Sequence, residues 1–239
     1  MVKNNIIEVD LIKSVLSEIQ VIHDKTPRGE HPLWRGLVNG DFNKRQVCEL
    51  IRQAGIIPLH NHLYHGALYV VCPDPEWREM LAEVVYEEGT GQLFAEGVPH
   101  YRLYLRLGAA FGISEEQMWN TEYCPEAIAF KSYFHNICSK NFLEGVSAHM
   151  LGAEAPVPQV FNPVAKALQK QFNLSNDDIA FYTVHEEADS EHSDIGRRLL
   201  ERFAVTQDDK KLVLKSVRDM VNISNVLWNG IFKKVKEIQ

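Results

Sequence analysis

No stretch of this sequence approaches the roughly 18 consecutive apolar residues of a membrane-spanning helix. The opening residues, MVKNNIIEVDLIKSVL, include acidic side chains and no long apolar block, so no signal peptide is expected. CxxC pairs are missing too. The four cysteines, Cys48, Cys72, Cys124 and Cys138, are scattered, which argues against a disulfide framework or a zinc ribbon. There is no excess of basic charge. The formal net charge is −7, which speaks against nucleic acid or an anionic membrane as partner. Alternating patterns of strand length and internal repeats are absent as well. These absences together lead us to expect a soluble, cytoplasmic protein.

What is present is apolar residue at helical spacing, almost throughout. The apolar fraction is 45% over 239 residues, enough to bury a sizeable core. Residues 8–22 read as a helix, 26–34 (TPRGEHPLW) as a Pro/Gly linker, and 41–71 as a capped, strongly apolar helix. Residues 73–91 show a cap, an early proline and a glycine stop. Further helices are predicted over 100–112, 125–153, 162–172, 177–203 and 207–236. Ser114 with Gln117 forms a capping box before a short helix. Ser175 with Asp178, and Thr206 with Asp209, look like caps for the last two. The expectation is one all-α domain spanning 1–239, with seven to eight helices.

One helix breaks the apolar pattern. In FYTVHEEADSEH, offsets of four and seven residues rotate by about 400° and 700°, which puts His185, Asp189 and His192 within an arc of roughly 60°. Phe181 and Leu199 extend that face, while Glu186, Glu187, Glu191 and Asp194 point elsewhere. A densely charged surface helix would also give such a sequence. Burying a carboxylate and two imidazoles without partners is unfavourable by several kcal/mol, and a divalent metal offsets that cost. Histidine and carboxylate donors without thiolate suit iron or manganese, and zinc can take them too.

Remaining ligands would come from acidic or histidine residues in other apolar stretches. Glu154 ends a small-residue helix just before two prolines, where the helix dipole disfavours an anion and favours a compensating cation. A solvated helix-terminal Glu is its ordinary alternative. Glu88 lies on the stripe of Trp77, Leu81, Val84 and Val85, and its neighbour Glu87 is the competing choice. His100 follows a Gly/Pro loop, where an exposed N-terminal histidine is equally ordinary.

The segments EEGTG…PHYRLYLRLGAAFGIS, GAEAPVPQVF and FYTVHEEADSEHS resemble the haem-oxygenase-like dimetal oxidases, relatives of the PqqC and TenA proteins. The linker EHPLW, the turn CPDPE and the helix order follow the same layout, so the resemblance covers nearly the whole chain. It implies a haem-oxygenase-like bundle whose two Fe(II) ions are held by Glu88, His100, Glu154, His185, Asp189 and His192, with a Glu bridging and O2 as co-substrate. Glu88, His100 and Glu154 would hold one iron; His185, Asp189 and His192 would complete the other. The charges agree: three carboxylates carry −3 and two ferrous ions +4, whereas one ion would leave excess negative charge in a dry site. An external electron donor and a homodimer are compatible with this reading.

The resemblance also implies an enzyme acting on small molecules, as in biosynthesis. Its reaction types include oxidative fragmentation of amino or fatty acids, N-oxygenation, nitrile formation, and p-aminobenzoate formation by self-sacrifice. The self-sacrificing branch carries a Tyr where this chain has Trp34, and a Lys where it has Val164, so that reaction is not expected here. His60, His62, Tyr64 and His65, studding an apolar helix, are expected with Trp34 to contact substrate, each with core packing or solvent as its alternative. Such polar anchors suit a small amino acid or amine, aromatic ones included, better than a fatty acid. No cationic anchor is assigned, because Arg197 and Arg198 rotate off the ligand face. Five alternatives are weighed: a fatty-acid oxidase of the same fold, a cofactor-free relative, a haem oxygenase using His23, a ferritin-like iron store, for which the chain offers a single Asp-x-x-His in place of two Glu-x-x-His, and a non-enzymatic interaction protein.

Overall fold

Prolines and short polar side chains set most helix starts in this chain. The computed structural model describes the backbone of residues 2–239 and the side chains of residues 12–185 and 198–239. Within these residues every regular element is helical. In chain order they are α1 (Val2–Lys25), α2 (Pro32–Asn39), α3 (Lys44–Ala54), α4 (His62–Val71), α5 (Pro75–Thr90), α6 (His100–Ala110), α7 (Glu115–Trp119), α8 (Pro125–Lys140) and α9 (Phe142–Val146). A π-helical segment (Ser147–Glu154) follows, then α10 (Pro158–Phe172), α11 (Ala180–Phe203) and α12 (Gln207–Glu237).

Pro32, Pro75, Pro125 and Pro158 each occupy the first helical turn, where a missing N–H costs nothing. Capping boxes close the starts of α3 (Asn43 with Gln46), α7 (Ser114 with Gln117) and α12 (Thr206 with Asp209). The Ser175–Asp178 pair also forms, but one turn ahead of α11.

The all-α class matches expectation, but twelve α-helices replace seven or eight. Three expected elements are divided or extended. Pro58 sits in the middle of 41–71 and lacks the amide a continuous helix needs, so the chain leaves α3, makes a 3-10 turn at Pro58–His60 and restarts as α4. Residues 125–153 break at Asn141, whose side chain caps α9 by accepting from the Glu144 amide at 3.2 Å. The expected linker at 26–34 holds the first turn of α2.

The long α12 is the organising element. Its buried face, Val213, Val217, Met220, Ser224, Leu227, Ile231 and Val235, recurs every three to four residues and lies against α8, the π segment, α1 and α3. Gly152 lets the π segment come close: a Cβ there would stand 3.0 Å from the Met220 Cβ. Helix α4 packs on α5 and α8, and α11 packs on α10, α6 and the π segment. A smaller core joins Ile12, Val15 and Ile19 of α1 to Leu151, Leu200, Val213 and Val217. The arrangement leaves residues of α2, α5, α8, the π segment, α10, α11 and α12 around one interior space.

Candidate metal centre

Helix α5 ends with two adjacent carboxylates, and the chain then turns back on itself. Gly91 takes a left-handed conformation (φ 67°) at the end of α5, and a Cβ there would lie 2.1 Å from the Val98 carbonyl oxygen. Its own carbonyl accepts from the Ala95 and Gly97 amides. This tight loop delivers His100, the first residue of α6, to both glutamates. Glu88 Oε1 lies 3.1 Å from His100 Nδ1, and Glu87 Oε1 lies 3.1 Å from His100 Nε2.

The two glutamates differ in what else they touch. Glu87 accepts from the Leu93 amide at 2.6 Å and the Phe94 amide at 3.2 Å, so it is engaged with the loop. Besides His100, Glu88 meets the Asn61 amide group, which donates to its second oxygen at 3.1 Å, and it faces the interior cavity. Burial works against charge on Glu88, but the imidazoles of His100, His65 and His185 outweigh it and hold the carboxyl well below the usual range. Burial likewise disfavours protonated His100, and the two carboxylates outweigh it and raise its pKa.

His185 projects from α11 to the same place. Its Nδ1–H donates to the Phe181 carbonyl at 2.6 Å, which leaves Nε2 carrying the lone pair, as a metal-ligating histidine requires. Its ring centroid is 4.9 Å from that of His100. Glu88, His100 and His185 bring one ligand atom each to within 4.8 Å of one another.

A second group of the same composition stands beside them. His65 of α4, His149 and Glu154 also converge within 4.8 Å. Glu154 Oε1 lies 3.5 Å from His65 Nε2 and 3.3 Å from His149 Nδ1. His149 and Glu154 are five residues apart. In an α-helix that offset rotates by about 500°, which places two residues on different faces. In the π winding, where the Ala155 amide bonds the Met150 carbonyl five residues back, each residue turns the chain through a smaller angle than in an α-helix, so an offset of five falls nearer one turn and His149 Nδ1 comes within 3.3 Å of Glu154 Oε1. Sequence reading at α-helical spacing therefore missed His149.

Asp189 and His192 lie outside the described side chains. Glu88, Glu154 and His185 are brought together around the interior space, and His100 stands against Glu88 and His185. The expected substrate contacts scatter. Trp34 lines the cavity, His65 joins the Glu154 group, and Tyr64 is buried in the core, stacked on Phe134 with its hydroxyl directed at the Ile56 carbonyl. His60 faces Tyr123, with burial lowering its pKa to about 4, and His62 is exposed. His23 donates to the Leu151 carbonyl at 2.8 Å and is committed there.

The cavity measures about 90 Å³, against the roughly 10–15 Å³ one water needs. Glu88, His149, Glu154 and His185 line it on one side. Trp34, Phe130, Phe134, Phe161, Phe181 and Trp228 form the apolar wall. Arg28 also lines it, with its guanidinium 5.9 Å from the Trp228 ring centre. Sequence reading placed Arg28 in a linker; only the fold carries it to the cavity.

These residues fit a first-row divalent ion such as iron. The donors are nitrogen and oxygen with no thiolate. Ligands bonded at about 2.0–2.2 Å and set at right-angle to tetrahedral angles stand roughly 3.0–3.5 Å apart, and the Glu88–His100, Glu154–His149 and Glu154–His65 separations fall in that range. His65 is buried, and neither of its ring nitrogens has a hydrogen-bond partner, a state that a metal bond would relieve.

Residues 48–225 match the family model described as iron-containing redox enzyme. A protein named 4-aminobenzoate synthase from Chlamydia pneumoniae is 26% identical over 200 residues, covering 84% of this chain and 85% of the relative. Among solved structures, a CADD-like protein of unknown function from Nostoc punctiforme superposes with a TM-score of 0.78 at 14% identity, covering 94% of this chain and 98% of that one. A haem-oxygenase-like domain of unknown function from Shewanella denitrificans gives 0.72 at 16% identity, covering 95% and 93%.

Proposed function

The chain belongs to the family of iron-containing redox enzymes, and from that premise we propose that it is a non-haem di-iron oxidase. It uses O2 to oxidise a small, carboxylate-bearing amino acid or amine with an aromatic group. The observation that carries the two-ion reading is the pair of carboxylate–imidazole groups Glu88–His100–His185 and His65–His149–Glu154, each of which sends two side chains (Glu88 and His185; His149 and Glu154) to the lining of one cavity. Glu88, His100, Glu154, His185, Asp189 and His192 are the proposed ligands. When bound, the iron supplies activation of O2 and the electrons that chemistry needs.

The chain's own residues do the rest. The Glu87 carboxylate holds His100 in place between the loop and Glu88. The Phe181 carbonyl fixes the His185 tautomer. The aromatic wall keeps bulk water from the reacting centre and packs a flat ring. Arg28 pairs with the substrate's carboxylate, the anchor absent from the sequence reading. An aromatic amino-carboxylate also agrees with the name of the chlamydial relative. Trp34 and Val164 offer neither a phenol nor an amine at the two positions where self-sacrifice would need them, so the substrate is a free molecule.

Oxygen consumption by the anaerobically loaded ferrous protein tests the reading, with amino acids, aromatic amines and fatty acids as substrates. We expect stimulation by carboxylate-bearing aromatic amines or amino acids. Arg28→Leu should raise KM for them by roughly 10- to 100-fold, the worth of a hydrogen bond to a charged group, with kcat much less affected. Stimulation by C10–C14 fatty acids alone would overturn the substrate class. Saturation at one zinc per chain without oxygen uptake would sink the oxidase itself.

A further inference from the structure

Two imidazoles in the centre stand outside the six proposed ligand positions. His65 comes from α4 and His149 from the π segment, and both side chains are almost wholly buried. Their ring centroids are 4.4 Å apart. Each presents a nitrogen to the same carboxylate oxygen, Glu154 Oε1, at 3.5 and 3.3 Å. Of the possible explanations, a hydrogen-bonded pair fails for His65, because among the described residues neither of its nitrogens makes a hydrogen bond. Apolar packing fails too, since a phenylalanine or leucine would fill the same space without a buried polar ring.

Convergence on one point is what ligands of a single ion show. Two imidazoles and one carboxylate with open positions are a donor set for ferrous iron in oxygen-activating sites. We infer that His65 and His149 are metal ligands, and that with Glu154 they seat one ion through two nitrogens and one carboxylate. The other ion sits at Glu88, His100 and His185. Within the π segment His149 approaches Glu154, and α4 adds His65 to the same carboxylate oxygen.

This inference rests on the two-ion reading, and the experiment separates the two. Wild-type protein, His65→Ala, His149→Ala and the double variant are loaded anaerobically with ferrous ion, and iron per chain is counted alongside circular dichroism. Iron K-edge X-ray absorption of the wild type adds a measurement that needs no variant to fold. We expect two irons in the wild type, one in the double variant, and about five imidazoles shared by the two irons rather than about three. A double variant that keeps the wild-type iron count, or a wild-type imidazole number of about three, overturns the inference and leaves the di-iron reading standing. A wild type that binds only one iron overturns the di-iron reading instead. In that case loss of the single iron in the double variant still supports the His65–His149 seat, and its retention overturns it.

Discussion

Glu87 and Glu88 share a peptide bond and differ in role because of what each carboxylate faces. Glu88 is aimed at the cavity and at the Nδ1 side of His100, while Glu87 is engaged by two loop amides and the Nε2 side. Glu88→Ala should therefore abolish turnover and remove one iron. Glu87→Ala should keep both irons but weaken ferrous affinity by roughly 10- to 100-fold, the usual effect of losing a group that orients a ligand. Ferrous titrations of both variants check this, and the reverse pattern would make Glu87 the ligand. At this scale the sequence left the pair undecided. One residue of offset is 100° of rotation, and the stripe of Trp77, Leu81 and Val84 passes near enough to both that burial alone does not separate them.

The elements that build the centre are the irregular ones. The loop between α5 and α6 closes only because Gly91 adopts a positive φ and carries no side chain against Val98. Gly91→Ala combines backbone strain with a steric clash and should destabilise the protein by roughly 2 kcal/mol or more. Because the same loop places His100 and receives the Glu87 carboxylate, iron affinity should fall with it. Denaturant unfolding with a ferrous titration measures both; a variant as stable as the wild type would show that the loop has another way to close. The π segment is the second irregular element. Its winding, in which Gly152 packs on Met220 of α12, brings together residues five apart, a relation that a search for α-helical faces does not contain.

Across the whole molecule, the core and the centre are built from different residues. The helices pack through two apolar clusters that contain none of the proposed ligands. Removing iron should thus leave the helical content nearly unchanged. It should still lower stability, because the metal binds only the folded arrangement of five separate elements. Free ferrous ion at about 100 times its dissociation constant contributes about 2.7 kcal/mol, which for a chain of this size is a rise in Tm of roughly 5–10 °C. Anaerobic melting with chelator and with ferrous ion tests this, and identical Tm values would argue that no specific site exists.

Local pattern alone determined the all-α class, most helix starts and the grouping of polar residues on α11. Periodicity and capping chemistry act within about one turn of chain, and so they can be read from neighbours in sequence. The sequence also singled out Glu88, His100, Glu154 and His185, because charge inside an apolar stripe is costly without a partner. Only the tertiary structure decided which of these meet, that His65 belongs with Glu154 rather than with the substrate contacts, and that Arg28 leaves its linker for the cavity wall. It decided the partnership of His149 as well, since the departure from α-helical winding accompanies packing against α12. Contacts between helices depend on crossing, register and close approach, which are properties of the packed core and not of any single stretch.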